Sequence, residues 1–507
     1  MGSHQNEPVL FAVSVNLEKR VRPEHPLRAL DRALGDLDWV RAEVAHCYGR
    51  KGHVSIDPVV IVKMLVLLFV DDVPSERELM GVIGERLDYL WFLGYGLDDA
   101  IPNHSVLSKA RARWGKEIFE KIFTRTVAAC VEAGLVDGRR LLVDSSLVQA
   151  NASNDSIKTT APEWVAALRR VCQAQEAKLD EAPPAEGVNA TRVSMTDPEA
   201  TLARKGAQSA RLAYKSHRGV DDAQGVITAV QTTTGQAGDA AQLPDLLAQH
   251  QARVQQQPSV IVGDAHYGSA ENYRHCQSRG IVSHLKPVSA PRQKKGCFAP
   301  EDFRYDAAAD CLHCPAGNIL RRHSFKKAEG TIEYRIMHRE YCLACPLREQ
   351  CTTAVEGRTV TLPVQYELVQ AGKEQATSTA ARASYKVRRH RMEGSFADAA
   401  NNHGFKRSRW RGLWRQQIQD WLIAAVQNLR ILMKRIGGQA DPAAGGVILF
   451  RNEPGILAPL LQGALTWARR IQCKSVGFPL EPFSRSRCPT FSASMINVLS
   501  NTPVRRL

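Results

Sequence analysis

Two short apolar runs each drive straight into a carboxylate. Leu141, Leu142 and Val143 lead to Asp144, and Val260, Ile261 and Val262 lead through Gly263 to Asp264. Runs this short and this rich in branched residues read as buried strands. A charge at the end of a buried strand is costly unless a positive group or a hydrogen-bond donor meets it. Capping of the following turn explains one such acid. Two of them on adjoining strands repel, and the pair persists best with a divalent cation between them.

The elements around these runs fix the fold class. The segment "LAYKSHRGVDDAQGVITAVQTTTG" gives two strands joined by a turn at Asp222 to Gly225. A helix is expected from Asp239 to about Arg253, then the strand ending at Asp264, a helix after Ser269 and the strand "IVSHLKP". Three strands followed by helix–strand alternation predict an α/β mixed sheet with helices packed on it. Residues 1–135 read as a helical N-terminal DNA-binding domain, in which "PNHSVLSKARARWG" offers a basic helix bearing Lys109 and Arg111. The sheet domain starts at 136–287, with a polar insertion at 154–210, and resumes with C-terminal helices at 376–436. A cysteine-rich insertion covers 288–375, and 437–507 reads as a poorly ordered tail rich in Gly, Pro, Ser and Arg.

Charge narrows the partners. Lys and Arg number 67 against 52 Asp and Glu, a net +15, which favours a polyanion such as DNA. Nine of those cations against two acids fall between Lys386 and Arg415, interleaved with Trp410 and Trp414, and phosphate contact by Lys406, Arg407 and Arg409 is the expectation. The most apolar run, Val59 to Val70, is too short to span a bilayer and carries Lys63, so it reads as a buried helix. No secretory signal is visible, and a cytoplasmic, nucleoid-associated protein with no membrane contact is expected. In that setting clustered cysteines read as a metal site before they read as disulfides.

On the helix "ASYKVRRHRMEGSFADAANNHGF", Tyr385, Arg389 and Glu393 recur every fourth residue on one face. A surface ion pair between Arg389 and Glu393 accounts for that spacing by itself. In combination with "VDSSLVQANAS", "YKSHRGVDDAQGVITAV", "VGDAHYGSAENY", "CPAGNIL" and "CLACPLREQCT", however, the chain resembles the DDE-type transposases of bacterial insertion sequences. The resemblance is to the branch with an N-terminal helical domain and a cysteine-bearing insertion, and it covers about residues 10–435.

That resemblance implies a ribonuclease-H-like catalytic domain with Asp144 on its first strand, Asp264 after its fourth and Glu393 on a late helix. It implies that Asp144, Asp264 and Glu393 hold Mg²⁺ or Mn²⁺, and that two such ions drive hydrolysis and transesterification of phosphodiesters. The family's tyrosine–arginine–glutamate–lysine motif maps onto Tyr385, onto Arg388 or Arg389, and onto Glu393, while Ala400 stands where the family carries lysine. The implied function is cleavage of element ends and strand transfer, on transposon-end and target DNA, by a homodimer on paired ends. The alternatives are a decayed transposase that only binds DNA and a nuclease that does not join strands.

The cysteines carry a second expectation. Cys311-x2-Cys314 and Cys342-x2-Cys345 stand 27 residues apart, with Cys351 six residues further on, a spacing that predicts a structural zinc ribbon. Pairing of two knuckles selects Cys311, Cys314, Cys342 and Cys345. The family resemblance instead implies Cys314, Cys342, Cys345 and Cys351, with Cys311 as the alternate.

Overall fold

The computed structural model describes residues 15–49, 55–176, 187–287, 297–326 and 330–438. All of these belong to one compact unit, Met1–Gly445; the unit Gly446–Leu507 and the tail expected from residue 437 fall almost wholly outside the described residues.

The chain begins with helices: α1 (Leu17–Arg20), α2 (Pro26–Leu34), α3 (Asp38–Val44), α4 (Pro58–Val70), α5 (Glu76–Glu85), α6 (Leu87–Leu93), α7 (Ser105–Trp114) and α8 (Glu117–Glu132). Helix α4 is the apolar run. Asp57 caps it by accepting from the Val59 N–H at 3.0 Å, and Pro58 occupies the first helical position, where its missing N–H costs nothing. Eight of its 13 residues are buried. Lys63 leaves the apolar face by reaching Asp31 Oδ1 at 2.7 Å and the Phe92 carbonyl at 3.1 Å. Among the described residues no helix is long and apolar enough to cross a membrane.

The main sheet contains β1 (Arg140–Gln149), β4 (Thr201–Ala203), β5 (Arg211–Asp221), β6 (Ile227–Thr234), β7 (Val260–Gly268) and β8 (Val282–Pro287). Strand β1 pairs antiparallel with β5, which pairs antiparallel with β6 and, further along the same edge, with β4. On its other side β1 pairs parallel with β7, and β7 with β8. Three antiparallel strands followed by two parallel ones, in the order β6-β5-β1-β7-β8, make this a mixed sheet of ribonuclease-H-like type. Between β1 and β5 lie a two-stranded ribbon, β2 (Ile157–Thr159) with β3 (Arg192–Ser194), and the helices α9 (Pro162–Glu176) and α10 (Val188–Thr191).

Helices cover both faces of the sheet. Leu141, Val143 and Ile261 face a small core shared with α11 (Leu243–Val254) and α12 (Ala270–Ser278). Leu142, Val148, Val220, Val230 and Val262 face the other way, into a core continuous with the N-terminal helices and with α15 (Thr379–Asn402) and α16 (Leu413–Gly438). The alternation follows from the period of two along a strand.

The cysteine-rich insertion is a five-stranded antiparallel meander: β9 (Arg304–Asp306), β10 (Cys311–His313), β11 (Ile319–Lys326), β12 (Thr331–Ile336) and β13 (Thr359–Pro363), with α13 (Arg339–Leu343). It ends at β13, about ten residues before the expected boundary. The next helix, α14 (Tyr366–Thr377), returns to pack on β8 and on α12, so close to α12 that a Cβ at Gly372 would stand 2.5 Å from the Tyr273 ring.

Because Leu67 is wholly buried near the C-terminal end of α4, Leu67→Ala is expected to cost about 2–5 kcal/mol. Urea unfolding monitored by circular dichroism checks this; an unchanged midpoint would remove α4 from the core.

Candidate active site and cysteine cluster

The parallel ladder between β1 and β7 stops at Leu142↔Val262. Asp144 and Asp264 each lie two residues past that last pair, so they stand side by side on one face where the strands part. Strand β1 does not end at Asp144, as the apolar run suggested; it continues to Gln149 because β5 pairs with it that far. Strand β7 loses register with β8 between Gly263 and Gly268, so the segment carrying Asp264 swings out of the ladder. Gly263 is required there, since a Cβ would come within 2.8 Å of Leu285 and 3.1 Å of Val143 and Tyr267.

Each aspartate divides its two oxygens between two tasks. Asp144 Oδ1 accepts the Ser145 N–H at 2.8 Å and Asp264 Oδ1 accepts the His266 N–H at 3.0 Å, each a bond to the backbone of its own strand. The two Oδ2 atoms face one guanidinium: Arg388 Nη2 lies 3.1 Å from Asp144 and 3.9 Å from Asp264. Arg388 Nε donates to the Val143 carbonyl at 2.9 Å, which fixes the side chain on β1. Burial raises the Asp144 carboxyl above its ordinary value; Arg388 and the Ser145 N–H oppose that, and Asp264 and Asp239 add to it.

The third acid, Glu393, is exposed on α15, five residues past Arg388. Its carboxylate is not closed onto the two aspartates: among the described residues, the trio of His, Cys, Asp or Glu ligand atoms within 4.8 Å of one another is Asp306, Cys311 and His313.

Of the residues expected to contact DNA, Lys109, Arg389, Lys406 and Arg407 are exposed. Lys406 Nζ donates to Ser146 Oγ at 2.8 Å, two residues from Asp144 on the same face, and Arg407 bridges Gln149 at the end of β1. Tyr385 is half-buried beneath Lys286, and burial raises its phenol to about 12. Two expectations need correction. Arg111 is 3% exposed, ion-paired with Glu76 and stacked 3.8 Å over Trp410, so it faces the core and not a helix groove. Arg409 is bound to Asp72 at 2.6 Å and to the Val73 and Leu68 carbonyls, and serves as a clamp on the end of α4. Composition counts cations but does not say which face they take.

Asp239 was not anticipated. It receives Ser145 Oγ at 3.0 Å and Lys215 Nζ at 3.1 Å behind the aspartate pair. Its only mark in the sequence was a place just ahead of a helix. Tyr267 is wholly buried beneath the turn, without a hydrogen-bond partner for its hydroxyl.

Cys314, Cys342, Cys345 and Cys351 line one pocket of the insertion together with Phe298, Leu320 and Ile336. Burial raises the Cys351 thiol, Arg358 opposes this, and Cys342, Cys314 and Cys345 raise it further. Cys311 is absent from that lining.

A mixed sheet with paired acids at a strand split defines a ribonuclease-H-like domain. Residues 15–113 match the family described as Transposase domain (DUF772), and residues 313–433 match the Transposase DDE domain. Those two segments, together fewer than half of the residues, are similar to transposase families, the second of them to a DDE transposase domain. The second match includes Arg388 and Glu393 but neither aspartate. Nothing among curated proteins matches the chain. A cryo-EM structure of the piggyBac transposase synaptic complex with hairpin DNA is similar over 82% of this chain and 76% of that one, at 10% identity and a TM-score of 0.34, a likeness too distant to fix the fold.

Since the Asp144 carboxyl is raised by burial, the folded protein holds its proton at pH values where the unfolded chain has released it. Stability is therefore lost as pH rises from the ordinary aspartate value of 3.8 through the raised one. Asp144→Asn is expected to melt above wild type at neutral pH, with the difference vanishing below 3.8. Differential scanning fluorimetry across that range checks it; a variant that melts lower at neutral pH would show that the ion pair to Arg388 outweighs desolvation.

Proposed function

We propose that this protein binds the ends of a mobile DNA element and carries out their metal-dependent cleavage and strand transfer, working as a pair of chains on two ends. One observation carries the reading: Asp144 and Asp264 stand in matching register at the split of β1 and β7, each with its Oδ2 turned toward the one Arg388 guanidinium. Stability alone gives no reason to set two carboxylates side by side.

The donor set fits Mg²⁺ or Mn²⁺, hard cations that prefer a few carboxylates and leave room for substrate oxygens. Asp144, Asp264 and Glu393 would hold the metal, and when bound it supplies activation of a water or 3′-hydroxyl and stabilisation of the leaving oxygen. The chain's own residues do the rest. Backbone bonds at Ser145 and His266 hold both carboxylates in orientation. Arg388 balances their charge and fixes α15, with Glu393, across β1. Lys406 stands over Ser146 on the same face, a cation placed for a DNA phosphate where Ala400 offers none. The four pocket cysteines would hold structural Zn²⁺, which suits thiolates and completes a small sheet whose core is slight.

Asp264→Asn removes a charge while its amide oxygen can still accept the His266 N–H. End-DNA binding by gel shift is expected to persist, since Lys and Arg supply most of that affinity. Mg²⁺-dependent nicking is expected to fall by more than the roughly 10–100-fold typical of losing a mere supporting group of a metal ligand. Nicking at the wild-type rate would refute the assignment, and nicking by wild type without joined products would favour a nuclease.

Lys406→Ala is expected to weaken DNA binding evenly across sequences and to lower the salt slope of log K by about one. An unchanged slope in a titration from low to high salt would take Lys406 off the DNA.

A further inference from the structure

Strand β10 carries ligand-type side chains on both of its faces. Leu312 is wholly buried in the core of the insertion, and Cys314, two residues on, faces the thiol pocket. Cys311 and His313 hold the alternate positions, so the pleat turns them to the opposite face. A Cys-x2-Cys pair on an extended strand therefore cannot close on one metal from one side, which is why Cys311 stands apart from the other four thiols.

On its own face Cys311 has company. Strand β9 sets Asp306 directly opposite it in the antiparallel register. His313 Nε2 lies 3.9 Å from Cys311 Sγ and 3.9 Å from Asp306 Oδ2, and all three ligand atoms fall within 4.8 Å of one another. Asp306 Oδ1 accepts the N–H groups of Ala308 and Ala309 at 3.0 and 3.2 Å, which fixes the carboxylate and leaves Oδ2 directed at the histidine. Cys311 is 6% exposed and free of any disulfide.

We propose that Asp306, Cys311 and His313 form a second metal site, distinct from the four-thiol pocket. It takes one borderline divalent cation, Zn²⁺ or Co²⁺, with solvent at the fourth position. Thiolate and imidazole together select against Mg²⁺ and Ca²⁺. Metal–ligand bonds of about 2.0–2.3 Å subtend tetrahedral edges of roughly 3.3–3.8 Å, so the two 3.9 Å separations need to close by about half an ångström and the third, within 4.8 Å, by at most about 1.5 Å. One carboxylate and one thiolate neutralise a dication. An ion pair between His313 and Asp306 alone would leave the cysteine without a part in the cluster. Three ligands and an open position describe an exchangeable site, unlike a closed four-cysteine one.

The test is Co²⁺ titration of the purified, chelator-treated full chain, followed by visible absorption and by metal content after desalting. Wild type is expected to take up two equivalents. Cys311→Ser and His313→Ala should each lose one, while Cys345→Ser loses the other. Asp306→Asn keeps the turn, because its amide oxygen can still accept from Ala308 and Ala309, and should bind the second equivalent at least tenfold more weakly. Cys311→Ser and His313→Ala variants that bind as much cobalt as wild type would overturn the site, as would a Cys345→Ser variant that binds none. A wild-type uptake of one equivalent, abolished by Cys311→Ser and untouched by Cys345→Ser, would uphold this site while refuting zinc in the thiol pocket.

Discussion

The buried guanidinium of Arg218 holds the two halves of the molecule together. It lies on β5 directly across from Asp144 and is wholly inaccessible. It donates to Ser395 Oγ at 3.0 Å on α15 and to Gln427 Oε1 at 2.9 Å on α16, and the rings of Phe396 and Phe405 lie 4.7 Å from it. Burial lowers its pKa to about 10, with Asp420 and Asp398 opposing the shift, so it stays charged at neutral pH. Breaking such an arrangement from one side leaves a buried charge uncompensated, at a typical cost of about 3–5 kcal/mol. Both C-terminal helices thus depend on one side chain of the sheet. The helix that bears Arg388 and Glu393 is set over the aspartates as a result.

The same electrostatic economy runs through the site. Asp144 and Asp264 repel, yet β1 and β7 bring them together, and Arg388 from α15 offsets the repulsion. Behind them Asp239 adds negative charge and Lys215 withdraws some of it. His217, 3.6 Å from Asp239, is held down to about 3 by burial, so it stays neutral and does not compensate the acid.

Much of this was legible in the residues. The apolar runs ahead of Asp144 and Asp264 located both strands, and the order of elements gave the mixed sheet, because burial writes a strong local pattern. The true length of β1 was not legible: "SSLVQ" is polar enough to read as a loop, and only pairing with β5, some 70 residues away, makes it a strand. Helical spacing grouped Tyr385 with Arg389 and Glu393, whereas the residue turned to the aspartates is Arg388. A sheet under the helix decides that choice, and no local signal records it. Arg111 and Arg409 resembled DNA contacts for the same reason, since a basic stretch has the same composition whether its cations face solvent or a tryptophan. Asp306 and His313 went unnoticed because their grouping with Cys311 exists only once β9 and β10 pair.

The core that begins with α2 is closed by α16, which packs against α8, α2, α4 and β6. The end of β1 is likewise bridged by Arg407. The first apolar helix and the last are separated by more than 340 residues of chain. During synthesis α4 therefore leaves the ribosome long before its cover exists, and the aspartate-bearing sheet stays unfinished until the final helix emerges. A chain stopped anywhere upstream of Leu413 would expose α4 and α8 together, a surface that chaperones and proteases recognise. The order of the elements along the chain thus makes the last helix a condition for burying the first apolar one.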